Sequence, residues 1–280
     1  MRAGQLYRLV RDRFRAADLP TPELDARLLV SSATGMRPAD LIFNEHDEVA
    51  QAAGDRAEAF AQQRLLGMPV GRILGEREFY GRPFLLNEAT LEPRPDTETL
   101  IDAVLGRTGA DEPFVLCDIG TGTGAIAVTL LAERPSSFAV ASDISQRALE
   151  CAAGNARLNA VDARFAAVCA NYLSAFGAGF DWVISNPPYI RSQALRDLDR
   201  EVIQHDPLLA LDGGESGLDA YLSIVTDAMR VLRPKGRIAL EIGFDQAQDL
   251  EKILVAQGFA DVEVTRDLGG NDRVVTAIKG

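Results

Sequence analysis

The sequence predicts an α/β protein, a doubly wound and mostly parallel sheet preceded by a small helical domain. Three observations carry that reading. Beyond residue 114, short apolar runs alternate with helical stretches, the pattern of strands joined by crossover helices. Within the first 67 residues, apolar positions recur at helical spacing instead. Between these regions, residues 68–95 are rich in glycine, proline and aromatic side chains and hold neither period. At 280 residues the chain exceeds the usual one-domain size of about 100–200 residues, which leaves room for a main domain and an appendage.

In residues 1–67, Leu6, Leu9, Val10 and Phe14, then Leu24, Leu28 and Leu29, then Leu41, Ile42 and Phe43 mark helical faces. Thr21-Pro22-Glu23 reads as a helix start, with Thr21 as cap and proline in the first turn. Gly35 and Gly54 punctuate the pattern, and four or five helices are expected. Residues 68–95 are expected to form a connector. In it, Ile73-Leu74 and Phe84-Leu85-Leu86 pair as a hairpin, with Tyr80-Gly81-Arg82-Pro83 near the turn. Across residues 96–280, strands are expected at 114–117, 138–142, 163–168, 182–185, 236–242, 262–265 and 273–278. Helices are expected at 125–133, 146–159, 217–231 and 246–256. Ligands of such a sheet sit beyond the carboxyl ends of its strands.

Apolar residues at 47% and charged residues at 25% describe an ordinary globular chain with ample core. No apolar run reaches the ~18 residues of a membrane span, and Met1-Arg2-Ala3-Gly4 lacks the apolar stretch of a secretory signal, so a cytoplasmic location is expected. Cys117, Cys151 and Cys169 form no C-x-x-C pair and are expected as buried reduced thiols. With His46 and His205 as the only histidines, no metal site is expected. A formal net charge of −12 disfavours a phosphate backbone as partner.

The first chemical motif follows the strand at 114–117. Asp118-Ile119-Gly120-Thr121-Gly122-Thr123-Gly124 is a glycine turn leading into an apolar helix, where alternate glycines let the backbone bend and approach a ligand closely. Nineteen residues beyond Gly124, Asp143 ends the next strand and can accept hydrogen bonds from both hydroxyls of a ribose. Strand, turn and acid read as a nucleoside site. Two alternatives stay open on this evidence: Gly120, Gly122 and Ala125 also satisfy the dinucleotide pattern of a nicotinamide-dependent oxidoreductase, and Asp143 could simply cap the helix that follows.

The second motif, Asn186-Pro187-Pro188-Tyr189, closes the strand at 182–185. An amide nitrogen is a poor nucleophile because its lone pair is delocalised into the carbonyl. The Asn186 side-chain oxygen and the Pro187 backbone oxygen can each accept one N–H and favour a more tetrahedral nitrogen. The prolines hold those acceptors rigidly, and Tyr189 can stack on a flat amide. A nucleoside site beside such a tetrapeptide points to methyl transfer onto a planar amide or amino nitrogen. Catalysis would rest on positioning rather than on a strong base.

These motifs, with several others, resemble the N5-glutamine methyltransferases that modify the glutamine of the Gly-Gly-Gln motif in peptide chain release factors. The likeness spans nearly the whole chain. It includes Pro69-Val70, Ile73-Leu74-Gly75 and Glu78-Phe79-Tyr80-Gly81, then Pro93-Arg94-Pro95-Asp96-Thr97-Glu98. It continues through Gly213-Gly214, Gly217-Leu218 and Tyr221 to Glu241-Ile242-Gly243, Gln246 and Asp272-Arg273-Val274-Val275. Asn-Pro-Pro-Tyr alone is shared with methyltransferases of DNA adenine and RNA guanine, which keeps an exocyclic amino group of nucleic acid as the alternative acceptor.

The resemblance implies a class I (Rossmann-like) seven-stranded methyltransferase sheet, a small helical amino-terminal domain for substrate recognition, and a site for the substrate loop between them. It implies S-adenosylmethionine as cofactor and a release factor as partner, while the net charge and the lack of a long apolar run leave no direct nucleic acid and no membrane expected. Gly120, Thr121, Gly122, Thr123 and Gly124 would hold the methionine part, Asp143 the ribose, and Asn171 or Tyr172 the adenine, with Asn186 close by. Asn186, Pro187 and Tyr189 would be catalytic, and together with Pro188 would hold the glutamine. Arg94 is expected to tie the connector to acidic residues or to touch a ligand. Phe79 and Tyr80 either shape a pocket or pack the connector.

Overall fold

Apolar residues spaced three and four apart give the amino-terminal unit its helices. They are α1 (Ala3–Ala16), α2 (Pro22–Thr34), α3 (Asp40–Phe43), α4 (Gln51–Leu65) and α5 (Val70–Leu74). The computed structural model describes residues 1–280, the Arg200 side chain excepted. Leu6, Val10, Phe14, Leu29 and Leu41 form the core of this unit with Ala57 and Ala61 of α4. Leu9, Leu24, Ile42 and Phe43 lie on the same helices but are exposed, because the apolar stripe is broader than the buried face. Thr21 stands at the start of α2 as expected, yet its hydroxyl donates to Asp25 Oδ1 at 2.7 Å rather than capping a backbone N–H. Asp25 Oδ2 in turn accepts from Arg64 Nε at 2.7 Å, and both charged side chains are buried. Gly35 ends α2 in the left-handed conformation. Gly54 does not break the chain but lies inside α4, in a first turn where the cost of glycine is only about 1 kcal/mol.

The chain divides into two units, Met1–Gly75 and Glu76–Gly280, eight residues beyond the boundary at 67 that the sequence suggests. Ile73 and Leu74 are not a hairpin arm. Pro69 and a left-handed Gly75 bracket them as the last turn of α5. The hairpin is made by β1 (Glu76–Phe79) and β2 (Arg82–Leu85). Positive φ at both Tyr80 and Gly81 makes the tight two-residue turn whose twist suits antiparallel strands.

The larger unit continues with α6 (Glu98–Leu105), β3 (Val115–Ile119), α7 (Ala125–Glu133), β4 (Phe138–Asp143), α8 (Gln146–Leu158) and β5 (Phe165–Cys169). After these come β6 (Phe180–Ser185), α9 (Arg200–His205), α10 (Asp219–Val231), β7 (Leu232–Glu241), α11 (Ala247–Ala256), β8 (Phe259–Arg266) and β9 (Asp272–Lys279). Seven strands form one sheet in the order β5-β4-β3-β6-β7-β9-β8. Six run in one direction, and β9 enters antiparallel to them between β7 and β8. Helix α6 lies outside the helices that the sequence predicts, since it begins inside Pro-Arg-Pro-Asp-Thr-Glu.

Alternation along the strands divides the core. Leu116, Trp182, Ile184 and Ala239 pack under α6, α7 and the hairpin's Phe79 and Phe84. Cys117, Val183, Ile238 and Leu240 face α10 and α11 on the other side. Phe79 is therefore core, and Tyr80 donates its hydroxyl to Asp102 at 2.8 Å. Of the three free cysteines only Cys117 is buried; Cys151 is half-buried and Cys169 exposed, because β5 is an edge strand. Among the described residues no helix is long and apolar enough to cross a membrane.

The buried Arg64–Asp25 pair gives the first test. Asp25→Ala removes the carboxylate that Asp25 brings to the buried Arg64 guanidinium and is expected to cost roughly 3–5 kcal/mol in urea unfolding. Asp25→Leu combined with Arg64→Met is expected to recover most of that loss. Equal damage from the single and double substitutions would show that the charges do not act as a pair.

Candidate active site

The site is set by where three neighbouring strands stop. Ile119 pairs with Ser142 on one side and Ser185 on the other, so Gly120, Asp143 and Asn186 leave the sheet at one level. Ser185 Oγ donates to Ile119 O at 2.7 Å, and the Thr121 amide donates to Ser142 O at 3.0 Å. Strands β3, β4 and β5 step outward one way, and the chain then returns to place β6 on the opposite side of β3. The loops after β3 and β6 diverge at this switch point and leave a crevice.

Gly120, Gly122 and Gly124 adopt φ of +66°, +54° and +79°, a region that side chains strain to reach. At Gly124 a Cβ would also lie 3.1 Å from Ala152 Cβ, so glycine there lets α7 pack against α8. Two carboxylates hold the loop. Asp118 Oδ2 accepts from Thr121 Oγ1 at 2.6 Å and from the Ala127 amide at 3.3 Å. Burial pushes the Asp118 carboxyl up to about 6 against those bonds, and its Oδ1 has no partner among the described residues. Asp143 Oδ2 accepts from the Gly122 amide at 3.0 Å, while Oδ1 accepts from Ser145 N at 2.8 Å. The cap of α8 is Ser145, whose hydroxyl accepts from the Ala148 amide at 3.3 Å. Asp143 thus joins the end of β4 to the glycine loop.

The tetrapeptide is clamped from behind. Prolines 187 and 188 carry no N–H, so anchoring falls to carbonyls and flanking residues. Gln246 Nε2 donates to Tyr189 O at 3.0 Å and to Gly217 O at 3.1 Å. The Ile190 amide donates to Leu211 O at 3.0 Å, and the Gly213 amide to Ile190 O at 2.8 Å. A Cβ at Gly213 would stand 2.8 Å from Pro188 O, so only glycine allows this approach. Asn186 Nδ2 donates to Thr97 Oγ1 at 3.1 Å.

Behind Asn186 and Tyr189 lies Glu241, at the end of β7 and 1% exposed. Burial raises its carboxyl to about 7, although the hydroxyls of Thr97 and Tyr189 and the Arg273 guanidinium favour its charge. Arg273 is itself engaged by Asp267 at 2.9 Å and Asp96 at 3.3 Å. Burial likewise raises the Tyr189 phenol to about 12.

A cavity of about 370 Å³ fills the crevice, within the roughly 300–1,000 Å³ of small-molecule sites. Gly120, Thr121, Gly122, Thr123, Asp143, Asn171, Tyr172, Asn186 and Pro188 line it. Gly124, Pro187 and Tyr189 do not. The ring of Tyr189 packs against the core on the α10 and α11 side, and its hydroxyl faces Glu241. Both Asn171 and Tyr172 reach the cavity, Tyr172 with a φ of +47°. Arg94 lines the cavity and also pairs with Asp206 at 2.7 Å. Sequence reasoning missed Ile144, Thr97 and the stretch holding Pro207, Leu209, Ala210 and Asp212. Ile144 had a signal in its place directly after Asp143, whereas residues 207–212 carry no motif.

Sheet order, glycine loop and strand-end tetrapeptide define a class I methyltransferase. The methyltransferase small domain family model matches residues 104–215, and the PrmC N-terminal domain model matches residues 5–75. A release factor glutamine methyltransferase of Agrobacterium fabrum is 44% identical over 95% of this chain and 93% of its own. Counterparts from Bradyrhizobium diazoefficiens and Cereibacter sphaeroides are 43% and 42% identical, over 95% and 99% of this chain and 91% and 98% of theirs. The chain belongs to the release factor glutamine methyltransferase family. Solved structures share its fold at low identity. A methyltransferase from Pyrococcus furiosus matches with a TM-score of 0.55 at 17% identity, over 72% of this chain and 91% of that one. The hMettl16 catalytic domain, in complex with MAT2A 3'UTR hairpin 6, matches with a TM-score of 0.57 at 17% identity, over 79% and 81%.

Glu241 makes the site's stability depend on pH. Its folded pKa lies above the ordinary 4.5, so its favourable contribution is full below that value and is lost as pH rises through about 7. Glu241→Gln removes the titration. Between pH 5 and pH 8 the wild type is expected to lose roughly 2–3 kcal/mol relative to this variant in denaturant unfolding. Parallel stability curves for the two proteins would contradict a buried carboxyl with a raised pKa.

Proposed function

We propose that this chain transfers a methyl group from S-adenosylmethionine to the side-chain amide nitrogen, N5, of the glutamine in the Gly-Gly-Gln motif of peptide chain release factors. The observation that carries the reading is the placement of Asn186. Its Nδ2 is committed to Thr97, and among the described residues its Oδ1 accepts no hydrogen bond. An acceptor oxygen is thus held ready at the rim of the cavity.

The residues fit the cofactor. Gly120 leaves open space where a Cβ would stand, so the loop's backbone can come close to a ligand. Asp143 offers remaining lone pairs to ribose hydroxyls, and Ile144, Asn171 and Tyr172 form the far wall for a nucleobase. When bound, the cofactor supplies an electrophilic methyl group on a sulfonium.

The rest of the chemistry falls to the chain. Asn186 Oδ1 and the Pro187 carbonyl each accept one N–H of the glutamine amide. That draws the nitrogen toward a tetrahedral geometry and aims its lone pair into the cavity. No strong base is needed, since the nitrogen becomes acidic only after it accepts the methyl and then loses its proton to water. Pro188 borders the acceptor. Tyr189 keeps the tetrapeptide in register through its backbone bond to Gln246 and its place beside Glu241. The helical unit, residues 1–75, recognises the release factor, and the reaction takes place in the cytoplasm. The net charge of −12 supports a protein substrate over a nucleic acid.

Asn186→Ala tests this division of labour. Losing one preorganised polar contact typically costs ~10²–10³ in rate, so turnover on release factor is expected to fall by that factor. Calorimetry should find adenosyl affinity within about tenfold of wild type. Asn186→Asp, which keeps an acceptor oxygen, should retain more activity than alanine. A near-native rate in Asn186→Ala, or label from a methyl donor appearing on DNA rather than release factor, would refute the reading.

A further inference from the structure

The orientation of the Asn186 amide is a choice between two ends of nearly equal shape. Only one end serves the reaction proposed above. The structure shows what selects it. Thr97, at the start of α6 and 4% exposed, places its hydroxyl oxygen 3.1 Å from Asn186 Nδ2. On its other side stands Glu241, buried at the end of β7, with Oε2 lacking any partner among the described residues. As pH rises through about 7 Glu241 becomes a carboxylate, which only accepts hydrogen bonds, and the Thr97 proton is then drawn to it. That leaves only the lone pairs of Thr97 facing Asn186. Lone pairs attract the NH₂ end of the amide and repel its oxygen. Charged groups around Glu241 preserve this polarity: Arg273 of β9 is tied to Asp267 and Asp96, while Tyr189 and Tyr221 add hydroxyls rather than a second cation.

We propose that Thr97 is a positioning residue for Asn186. Its hydroxyl, polarised by Glu241, takes the Asn186 amide NH₂ and so turns the Asn186 carbonyl oxygen toward the substrate nitrogen. This rests on the role given to Asn186 above. Thr97 belongs to Arg-Pro-Asp-Thr-Glu, and Glu241 ends β7, 144 residues further along the chain. Chain segments far apart in sequence therefore act on one side-chain torsion.

The test is a substitution cycle read by initial rates on release factor and by calorimetry with S-adenosylhomocysteine. Thr97→Val keeps the shape and removes the oxygen, leaving the amide free to rotate. Misplacement of this kind can cost up to about 10²-fold, and kcat is expected to fall roughly 10–100-fold while KM and adenosyl affinity stay within about threefold. Thr97→Ser restores the hydroxyl and should return most of the rate. Because Thr97 acts through Asn186, Thr97→Val added to Asn186→Ala should cost almost nothing more.

Several results would overturn the proposal. They are near-native turnover in Thr97→Val, a full additional loss in the double variant, and a loss of fold or adenosyl affinity in Thr97→Val, which would make the residue structural. If Asn186→Ala itself turned over normally, the reading of the site would fall with it. If Asn186→Ala collapsed and Thr97→Val did not, the positioning role alone would fail.

Discussion

Everything at the site depends on the register of β3 against its two neighbours. Ile119 stands opposite Ser142 and Ser185, and the pairing delivers the glycine turn, Asp143 and Asn186 to one level at the sheet's carboxyl edge. Side chains alternate faces along a strand, so a slip of one residue in β6 would exchange its two faces. Val183 would then meet α6 and α7, and Ile184 would meet α10 and α11. Burial on both faces therefore fixes the chemistry to within one residue. Ser185 adds a direct tie through its hydroxyl to Ile119 O.

A second constraint follows from the composition of the tetrapeptide. Two prolines give stiffness but remove the donors that would otherwise anchor it. The fold supplies anchors from two later segments: Gly213 and Gly217 by close approach, then Gln246 by a side-chain amide and Glu241 by a buried carboxyl. Tyr221 helps hold Gln246, donating to Glu241 O at 2.9 Å and lying 3.3 Å from Gln246 Oε1. The dispersed motifs at 213–221, 241–246 and 272–275 are thus one structure seen at several places in the sequence. Packing, not direct contact with a ligand, accounts for most of them.

That distribution explains what the sequence made legible. Strands β3, β4, β6 and β7 stood out as short apolar runs, and the glycine turn and tetrapeptide stood out because each breaks such a run with residues of special backbone demand. The hairpin's first arm was misplaced because Ile73-Leu74 is as apolar as a strand of that length. Pro69 and Gly75 decide for a helical turn. Helix α6 was hidden because its start coincides with a motif read for its chemistry. Thr97 and residues 207–212 reach the cavity only through tertiary placement, and neither periodicity nor spacing records that. The role of Tyr189 changes for the same reason. A tyrosine in this position suggests stacking, yet its hydroxyl finds Glu241, a residue 52 positions away that no local pattern links to it.

The central claim is that the cavity and Asn186 together direct a methyl group to a glutamine side-chain amide. The most direct measurement is to incubate the protein with S-adenosylmethionine and purified release factor, digest the product, and sequence the peptide carrying Gly-Gly-Gln by mass spectrometry. The account predicts the mass of a single methyl group on that glutamine, released as methylamine when the side chain is hydrolysed. A methyl group on any other residue of the release factor, or none under conditions where the cofactor binds, would contradict it.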